Sequence, residues 1–255
     1  TASHLKTIRP QLIDCIESSC SVISTCEELV YPYDGNRKIA EEIDRLAKRR
    51  KVAVLGIGVN PGFVMDALPL ILTSVCQGVR NVKVTRIVDA SKRRLPLQKK
   101  IGAGISVREF EERVSEGTIG HVGLRESARM IADALGWELD GISEDIGPVV
   151  ARKDIQTQFL RVGEGMVAGI KQTVRCIVGG KGAILLELQM RVDAEDPHDS
   201  VVIDGDPPVD MTIRGGIHGD SATVAMVVNA IPRVLASRPG LITLRDLPIL
   251  TCVKD

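Results

Sequence analysis

The chain has 255 residues, enough for one large domain or two modest ones. Its 33 Lys and Arg residues balance its 33 Asp and Glu residues, and it has only three Phe, two Tyr and one Trp. A general nucleic-acid binder needs a basic surplus and aromatic stacking platforms, so that class of function is excluded. The longest apolar runs are too short or too interrupted to span a bilayer, so we expect no membrane partner.

Helical and strand patterns alternate over the first 80 residues. Helices are expected at 4–19, 36–50 and 63–76, and strands at 21–25 and 51–55. Asn36 is a predicted N-cap, and Pro69 is expected to kink the third helix. This alternation predicts a doubly wound parallel sheet of the Rossmann type.

The pattern changes after residue 80. Further strands are expected at 81–89, 170–178 and 184–190, and further helices at 106–115, 124–135 and 220–234. Ser106 is expected to cap its helix, and Gly179–Gly182 is typical of a hairpin turn. Apolar and polar residues alternate along the later strands, which predicts an antiparallel sheet in an α+β domain. An extended tail is expected from Arg238.

These patterns divide the chain into three consecutive parts. Residues 1–65 are predicted to be half of an α/β dinucleotide-binding domain. Residues 66–218 are predicted to be an α+β domain for substrate binding and oligomerisation. Residues 219–255 are predicted to be a helix and tail that pack back on the first part.

The segment from Gly56 to Gly62 has three interpretations. It follows a strand and opens a helix, as a dinucleotide fingerprint does, but Pro61 stands where the third glycine belongs. The first acid that ends the next strand, Asp89, lies 33 residues after Gly56 (89 − 56), too far for the usual ribose contact. The segment is otherwise a tight strand-to-helix turn. In the third interpretation, Asn60, Pro61 and Gly62 border the nicotinamide end of a cofactor whose pyrophosphate loop lies elsewhere.

Two further positions are candidates for chemistry. Glu27 and Glu28 follow a predicted strand, where a carboxylate can hold a substrate ammonium or accept a proton; the alternative is a solvated pair that opens a turn. His121 lies between glycines and is a candidate acid, base or substrate contact, although a lone His is more often structural. The six cysteines include no CxxC pair, and no His, Cys or acid has metal-ligand spacing. This predicts reduced thiols in a cytoplasmic protein without a metal site.

Six segments in this order resemble a known family. They are Thr1–Leu5, Val22–Leu29, Gly58–Phe63, Gln98–Gly104, Gly120–Leu124 and Gly219–Asn229. Together they resemble the 2,4-diaminopentanoate dehydrogenase family, which is related to dihydrodipicolinate reductase and to native amine dehydrogenases. The chain lacks the Glu-x-His-His run of dihydrodipicolinate reductase, which disfavours a lysine-pathway assignment.

The resemblance implies an NAD- or NADP-dependent oxidative deamination of a small diamine or similar amine substrate, with hydride passing between substrate and nicotinamide. It implies that Glu27 or Glu28 is the catalytic carboxylate and that His121 lies on the substrate side. The residues that it places beside the cofactor are Thr1, Ala2, Ser3, Asn60, Pro61 and Gly62. It also implies a homodimer through the antiparallel sheet.

The chain departs from the family in one respect. The glycine-rich loop of the family lies in an N-terminal half-domain that these residues do not contain, and the chain begins with Thr1 rather than Met. We therefore expect a truncated chain that binds the cofactor poorly by itself, since the pyrophosphate lacks its helix N-terminus. Two other functions stay open: a non-catalytic module that oligomerises or binds an effector, and another amino-acid-pathway reductase of the same architecture.

Overall fold

The computed structural model describes residues 2–253. Its helices are α1 (Leu5–Glu17), α2 (Glu27–Val30), α3 (Arg37–Arg50), α4 (Ala67–Thr73), α5 (Leu95–Lys100), α6 (Val107–Ser115), α7 (Leu124–Ala134) and α8 (Gly219–Leu235). Its strands are β1 (Val22–Ser24), β2 (Ala53–Gly56), β3 (Gly78–Asp89), β4 (Gly141–Val150), β5 (Ile155–Gln156), β6 (Arg161–Val162), β7 (Val167–Val178), β8 (Lys181–Arg191), β9 (His198–Asp206), β10 (Val209–Arg214) and β11 (Gly240–Ile242). A short 3-10 helix spans Leu244–Asp246.

The chain forms two units. The first comprises residues 1–71, 122–138 and 217–255, and the second comprises 72–121 and 139–216. This division differs from the three consecutive parts expected from the sequence, because the segment that carries α7 belongs to the first unit. The amphipathic pattern of α7 shows that one face is buried, but it does not show which unit covers that face.

The first unit is built on a parallel sheet in the order β1-β2-β11. Side chains from successive residues of β2 point to opposite faces of the sheet. Val54 packs with α1 and α3 on one face, whereas Ala53 and Leu55 pack with Ala230 and Val234 of α8 on the other. The third strand, β11, comes from the segment that was expected to be an extended tail. Its three residues are too few to show a strand pattern.

The third helix is shorter than expected. The predicted range was 63–76, but α4 covers only Ala67–Thr73. The later start places Pro69 in the first turn of the helix. A backbone N–H in this turn has no carbonyl partner within the helix, so a proline here breaks no helical hydrogen bond and the expected kink is not required.

The second unit contains a six-stranded sheet in the order β10-β9-β3-β8-β7-β4. All neighbouring strands are antiparallel except β3 and β8, which pair in parallel. β7 and β8 form the predicted hairpin, with positive φ angles at Gly179 and Gly180. Leu186 and Leu188 are buried, whereas Glu187 and Gln189 are only half-buried, so the alternation along β8 is confirmed. Ser106 caps α6 as predicted, accepting a hydrogen bond from the Glu109 amide.

In the described part of the chain, no helix combines the length and the apolar character that crossing a bilayer requires.

Candidate active site

The carboxyl ends of β1 and β2 bring two predicted site segments to the same edge of the parallel sheet. β1 leads into Cys26 and α2, and β2 leads into the turn that contains Asn60–Gly62. The Ile57 amide donates a hydrogen bond to the Ser24 carbonyl at 2.9 Å, which ties the two strand ends together. In open parallel sheets, ligands bind at this edge.

Glycines allow very close backbone packing at this edge. A Cβ atom at Gly56 would lie 2.3 Å from the Leu29 carbonyl carbon, and one at Gly62 would lie 2.4 Å from the Gly58 nitrogen. Gly62 also has a φ of +126°, which disfavours any other residue. Gly56 is therefore required for α2 to lie against β2, and Gly62 for the turn to close on itself.

The Gly56 segment does not have the geometry of a dinucleotide fingerprint. A pyrophosphate-binding turn leads directly into a helix, whose N-terminal amides then face the phosphates. Here the chain passes through residues 57–66 before α4 begins at Ala67. The other two interpretations remain: a tight turn, or a turn beside the nicotinamide end of a cofactor.

Glu28 holds the start of α1. Its carboxylate accepts hydrogen bonds from the Leu5 amide at 2.6 Å and from the Asn36 side-chain amide at 3.0 Å. The His4 Nδ1 atom lies 2.9 Å from its other oxygen. A carboxylate at a helix N-terminus satisfies an amide that has no partner within the helix and opposes the helix dipole. Asn36 occupies the N-cap position of α3, as predicted, but its side chain makes no capping hydrogen bond there and instead donates to Glu28.

The neighbouring acid, Glu27, is half-buried, and within residues 2–253 its carboxylate makes no hydrogen bond or ion pair. The adjacent Cys26 thiol is buried and donates to the Ser3 carbonyl at 3.2 Å. Burial, together with the negative charges of Glu27 and Glu28, raises the pKa of this thiol to about 11. Cys26 is therefore neutral and unreactive, and Glu27 offers the available carboxylate.

The segment before α1 meets the same edge. The Ser3 carbonyl accepts a hydrogen bond from the Glu28 amide at 3.2 Å in addition to the one from Cys26. Ala2 is partly buried against the core between α1 and α3. Thr1, the third residue predicted to lie beside the cofactor here, is outside the described residues.

Two polar residues that the sequence analysis missed anchor the Asn60–Gly62 turn. The Asp66 carboxylate accepts hydrogen bonds from the Gly62 amide at 2.7 Å, the Ala67 amide at 2.6 Å and the Ser127 hydroxyl at 2.7 Å. Burial raises the pKa of Asp66, although these hydrogen bonds oppose the increase. The available signal was an acid inside the apolar run from Phe63 to Leu72, since buried acids are rare unless they are paired.

α7 also contacts the loop that follows α2. Asp34 accepts hydrogen bonds from Arg125 at 3.2 Å and Arg129 at 3.0 Å. The Tyr31 hydroxyl donates to Asp133 at 2.8 Å. Within the first unit, α7 is therefore bonded both to the loop that follows β1 and, through Ser127, to the turn that follows β2.

His121 lies in the second unit, where a buried glutamine holds its backbone. The His121 amide donates to Gln172 Oε1 at 2.8 Å, and Gln172 Nε2 donates to the His121 carbonyl at 2.7 Å. Gln172 Nε2 also donates to Glu144 at 2.6 Å. Gln172 is a buried polar residue of this site that the sequence pattern did not single out, although it lies among the inward-facing residues of an apolar strand.

Within residues 2–253, no group of three or more His, Cys, Asp or Glu side chains has an arrangement that would hold a metal ion.

Comparison with known proteins places the chain in a family. Residues 63–255 match the 2,4-diaminopentanoate dehydrogenase C-terminal domain. The chain is 38% identical over 240 residues to 2,4-diaminopentanoate dehydrogenase of Acetoanaerobium sticklandii, covering 92% of this chain and 68% of that protein. It is 27% identical over 214 residues to an amine dehydrogenase of Streptomyces virginiae, covering 75% of this chain and 59% of that one.

The fold is also that of a solved relative. The structure of an amine dehydrogenase from Mycobacterium smegmatis superposes with a TM-score of 0.85 at 22% identity, covering 98% of this chain and 75% of that one. The family match and the 38% identity establish the relationship, and the structural likeness agrees with it in fold. The chain belongs to the 2,4-diaminopentanoate dehydrogenase family of amine dehydrogenase enzymes.

Proposed function

We propose that this protein is an NAD(P)-dependent dehydrogenase that oxidatively deaminates a small diamine such as 2,4-diaminopentanoate, with reductive amination as the reverse reaction. The names of its relatives support the reaction class. The structural observation that carries the proposal is the difference between the two adjacent acids. Glu28 is held by α1, whereas Glu27 keeps an available carboxylate at the ligand-binding edge of the sheet.

The reaction sets the requirements for the site. Oxidation of the ammonium-bearing carbon gives an imine, which one water hydrolyses to a ketone. The products are the ketone, an ammonium ion, the reduced nicotinamide and one proton. A bound nicotinamide supplies the hydride acceptor. The protein must orient the amine, bind the proton that is released and hold the water.

The Asn60–Gly62 turn suits the nicotinamide end of the cofactor. Asn60 is half-buried at the carboxyl edge of the sheet, and its side-chain amide has the donor and the acceptor that a carboxamide group requires. The backbone of the turn is fixed by the hydrogen bond from Gly62 to Asp66. We assign Asn60, Pro61 and Gly62 to this role, with Ala2 and Ser3 at the same edge.

We assign the acid–base role to Glu27. An ionised carboxylate attracts the substrate ammonium and orients the reacting carbon. Once the amine proton has passed from Glu27 to solvent, the ionised carboxylate can accept a proton from the water that attacks the imine. Glu28 cannot take this role without giving up its hydrogen bonds to α1 and Asn36.

We assign His121 to the substrate side of the reaction, as the family resemblance implies. Gln172 binds both the amide and the carbonyl of His121, so the backbone that carries the imidazole is held in place.

The test compares two matched variants, Glu27→Gln and Glu28→Gln, in the enzyme expressed from its complete reading frame. We expect Glu27→Gln to lower kcat with 2,4-diaminopentanoate by about 10²- to 10⁴-fold, the usual contribution of a general acid or base. Glu28→Gln should retain most of the activity. NAD(P)H formation and ammonia release are measured together.

Two results would contradict the proposal. If no amine produces both NAD(P)H and ammonia, the reaction class is wrong. If Glu27→Gln keeps the wild-type kcat while Glu28→Gln loses it, the two acids have been assigned in the wrong order.

We also propose that the protein is a homodimer that associates through the six-stranded sheet. The support is the family resemblance and the half-buried residues Glu187 and Gln189 on the less covered face of β8. Light scattering coupled to size-exclusion chromatography measures the mass, and a monomer at micromolar concentration would contradict this proposal.

A further inference from the structure

We propose that Asp66 and Ser127 are positioning residues that hold the Asn60–Gly62 turn in the shape that binds the nicotinamide end of the cofactor. This inference rests on the proposed function and deepens it. It assigns a role to two buried residues that need not touch either cofactor or substrate.

The hydrogen bonds of Asp66 join three parts of the first unit. Its Oδ2 atom accepts from the Gly62 amide in the turn and from the Ser127 hydroxyl in α7, and its Oδ1 atom accepts from the Ala67 amide at the start of α4. Both Asp66 and Ser127 are 0% exposed. The turn is therefore bonded through one carboxylate to the two helices that flank it.

A purely space-filling role does not account for this arrangement. Burying a carboxylate is costly unless hydrogen bonds compensate, and an apolar residue would fill the same volume without that cost. Here the three donors provide the compensation, and one of them is the amide of Gly62. A glycine is the residue with the greatest backbone freedom, so a hydrogen bond at its amide selects one conformation of the turn.

A second, independent contact holds the same turn. A Cβ atom at Gly123 would lie 2.3 Å from Cδ of Pro61, so the N-terminus of α7 rests directly on the proline ring. Gly123 has a φ of +119°. α7 thus meets the turn at Pro61 through this close approach, and at Gly62 through Ser127 and Asp66. Contacts to successive residues fix both the position and the orientation of the turn.

The experiment uses Asp66→Asn and Ser127→Ala in the enzyme expressed from its complete reading frame. Asparagine keeps the shape of Asp66 but replaces one accepting oxygen with an NH2 group, so at least one of the three hydrogen bonds is lost. Alanine removes the hydroxyl of Ser127. Hydrogen–deuterium exchange of the segment 57–66 measures the mobility of the turn without cofactor. Fluorescence titration with NADH and with NADPH measures binding, and steady-state kinetics separates KM from kcat.

We expect amide exchange in 57–66 to accelerate about tenfold, and the dissociation constant of the preferred cofactor to rise about tenfold, the effect of losing one hydrogen bond to a charged group. Because only positioning is lost, kcat at saturating cofactor should change by less than about threefold. Thr157→Val is the control. It removes a buried hydroxyl of the second unit, which bonds Gln98 at 2.9 Å, and it should leave both the exchange of 57–66 and the dissociation constant unchanged.

The outcomes separate the two proposals. Unchanged exchange in 57–66 overturns the inference, and so does faster exchange with an unchanged dissociation constant. A loss of binding equal to that of the Thr157→Val control also overturns it, because the effect is then one of general stability. If the wild-type enzyme binds neither NADH nor NADPH, the proposed function fails and the inference falls with it, even where the exchange result shows that the turn is held as described.

Discussion

The two units each bury an aspartate, and they compensate its charge in different ways. Asp199 in the second unit is 1% exposed and is paired with Arg86, which is 3% exposed. The Arg86 Nη1 atom lies 2.8 Å and 2.7 Å from the two carboxylate oxygens. Asp66 in the first unit is 0% exposed, and within residues 2–253 it has hydrogen-bond donors but no ion-pair partner.

The difference reflects where each aspartate lies. Arg86 and Asp199 stand opposite each other on β3 and β9, so their pairing stabilises the register of a sheet. Asp66 lies in a turn at a sheet edge, where its donors fix the backbone of the turn. Burial acts on both sites in the direction expected for a charged group: it lowers the pKa of Arg86 and raises that of Asp66. The buried charge of Asp199, within the six-stranded sheet, is neutralised by Arg86. The carboxylate of Asp66, beside the candidate site, instead fixes the backbone of a turn.

The largest expected effect tests the neutralised pair. Arg86→Met removes the positive charge that balances buried Asp199, and we expect it to lower the free energy of unfolding by about 3–5 kcal/mol. The double variant Arg86→Met with Asp199→Leu should recover most of that loss, since it removes both charges. Urea denaturation measures both. A loss below about 1 kcal/mol for Arg86→Met would contradict the comparison, because the pair would then contribute no more than a surface ion pair does.

The next effect tests the packing of the first unit. Gly56→Ala places a methyl group 2.3 Å from the Leu29 carbonyl carbon, and backbone cannot move aside as a flexible side chain does. We expect a loss of about 1–3 kcal/mol, typical of overpacking, together with weaker cofactor binding as α2 shifts. Gly147→Ala in β4 is the matched control, because nothing lies within 4 Å of the added atom. Equal stabilities of the two variants in thermal unfolding would refute the close approach.

A smaller effect separates the two adjacent acids by stability rather than activity. Glu28→Gln weakens the hydrogen bonds that hold the start of α1, so we expect a loss of about 0.5–2 kcal/mol, the range for helix caps. Glu27→Gln removes no hydrogen bond within residues 2–253 and should unfold at the wild-type temperature. Calorimetry of both variants measures the difference, and the opposite ranking would reverse their roles.

The smallest effect is a pH dependence at the far end of α7. Burial and the adjacent Asp133 raise the pKa of Tyr31 to about 12 from an ordinary value of 10.0. Because the folded state holds this proton more tightly than the unfolded state, the contribution to stability is present below pH 10.0 and is lost as the pH rises toward about 12. An alkaline titration followed by tyrosinate absorbance measures this pKa. The component that titrates at the highest pH should be absent from the Tyr31→Phe variant. A Tyr31 signal that titrates at its ordinary pKa would contradict the burial of this hydroxyl.

The sequence predicts local features well because they depend on neighbouring residues. The strands at 21–25 and 51–55, the β7–β8 hairpin and the Ser106 cap all follow from spacing within a few positions. The rule that parallel strands share a carboxyl edge also predicts that the acids and the Asn60 turn meet at one edge of the sheet.

The missing features depend on contacts between distant residues. The Asp66–Ser127 bond joins positions 61 residues apart, and no local pattern indicates it. The different roles of Glu27 and Glu28 depend on the position of the start of α1, because His4 and the Leu5 amide bind the carboxylate of Glu28. The strand β11 owes its existence to pairing with β2 rather than to its own three residues.

That third strand has a consequence for synthesis of the protein. β2, which leads into the Asn60 turn, is flanked by β1 from earlier in the chain and by β11 at residues 240–242. While the ribosome is still making the second unit, β2 has a neighbour on one side only, and its other edge offers unpaired amides and carbonyls to any passing strand. The three strands that the structure describes can therefore all pair only after residue 242 has left the exit tunnel, and until then one edge of β2 stays unpaired.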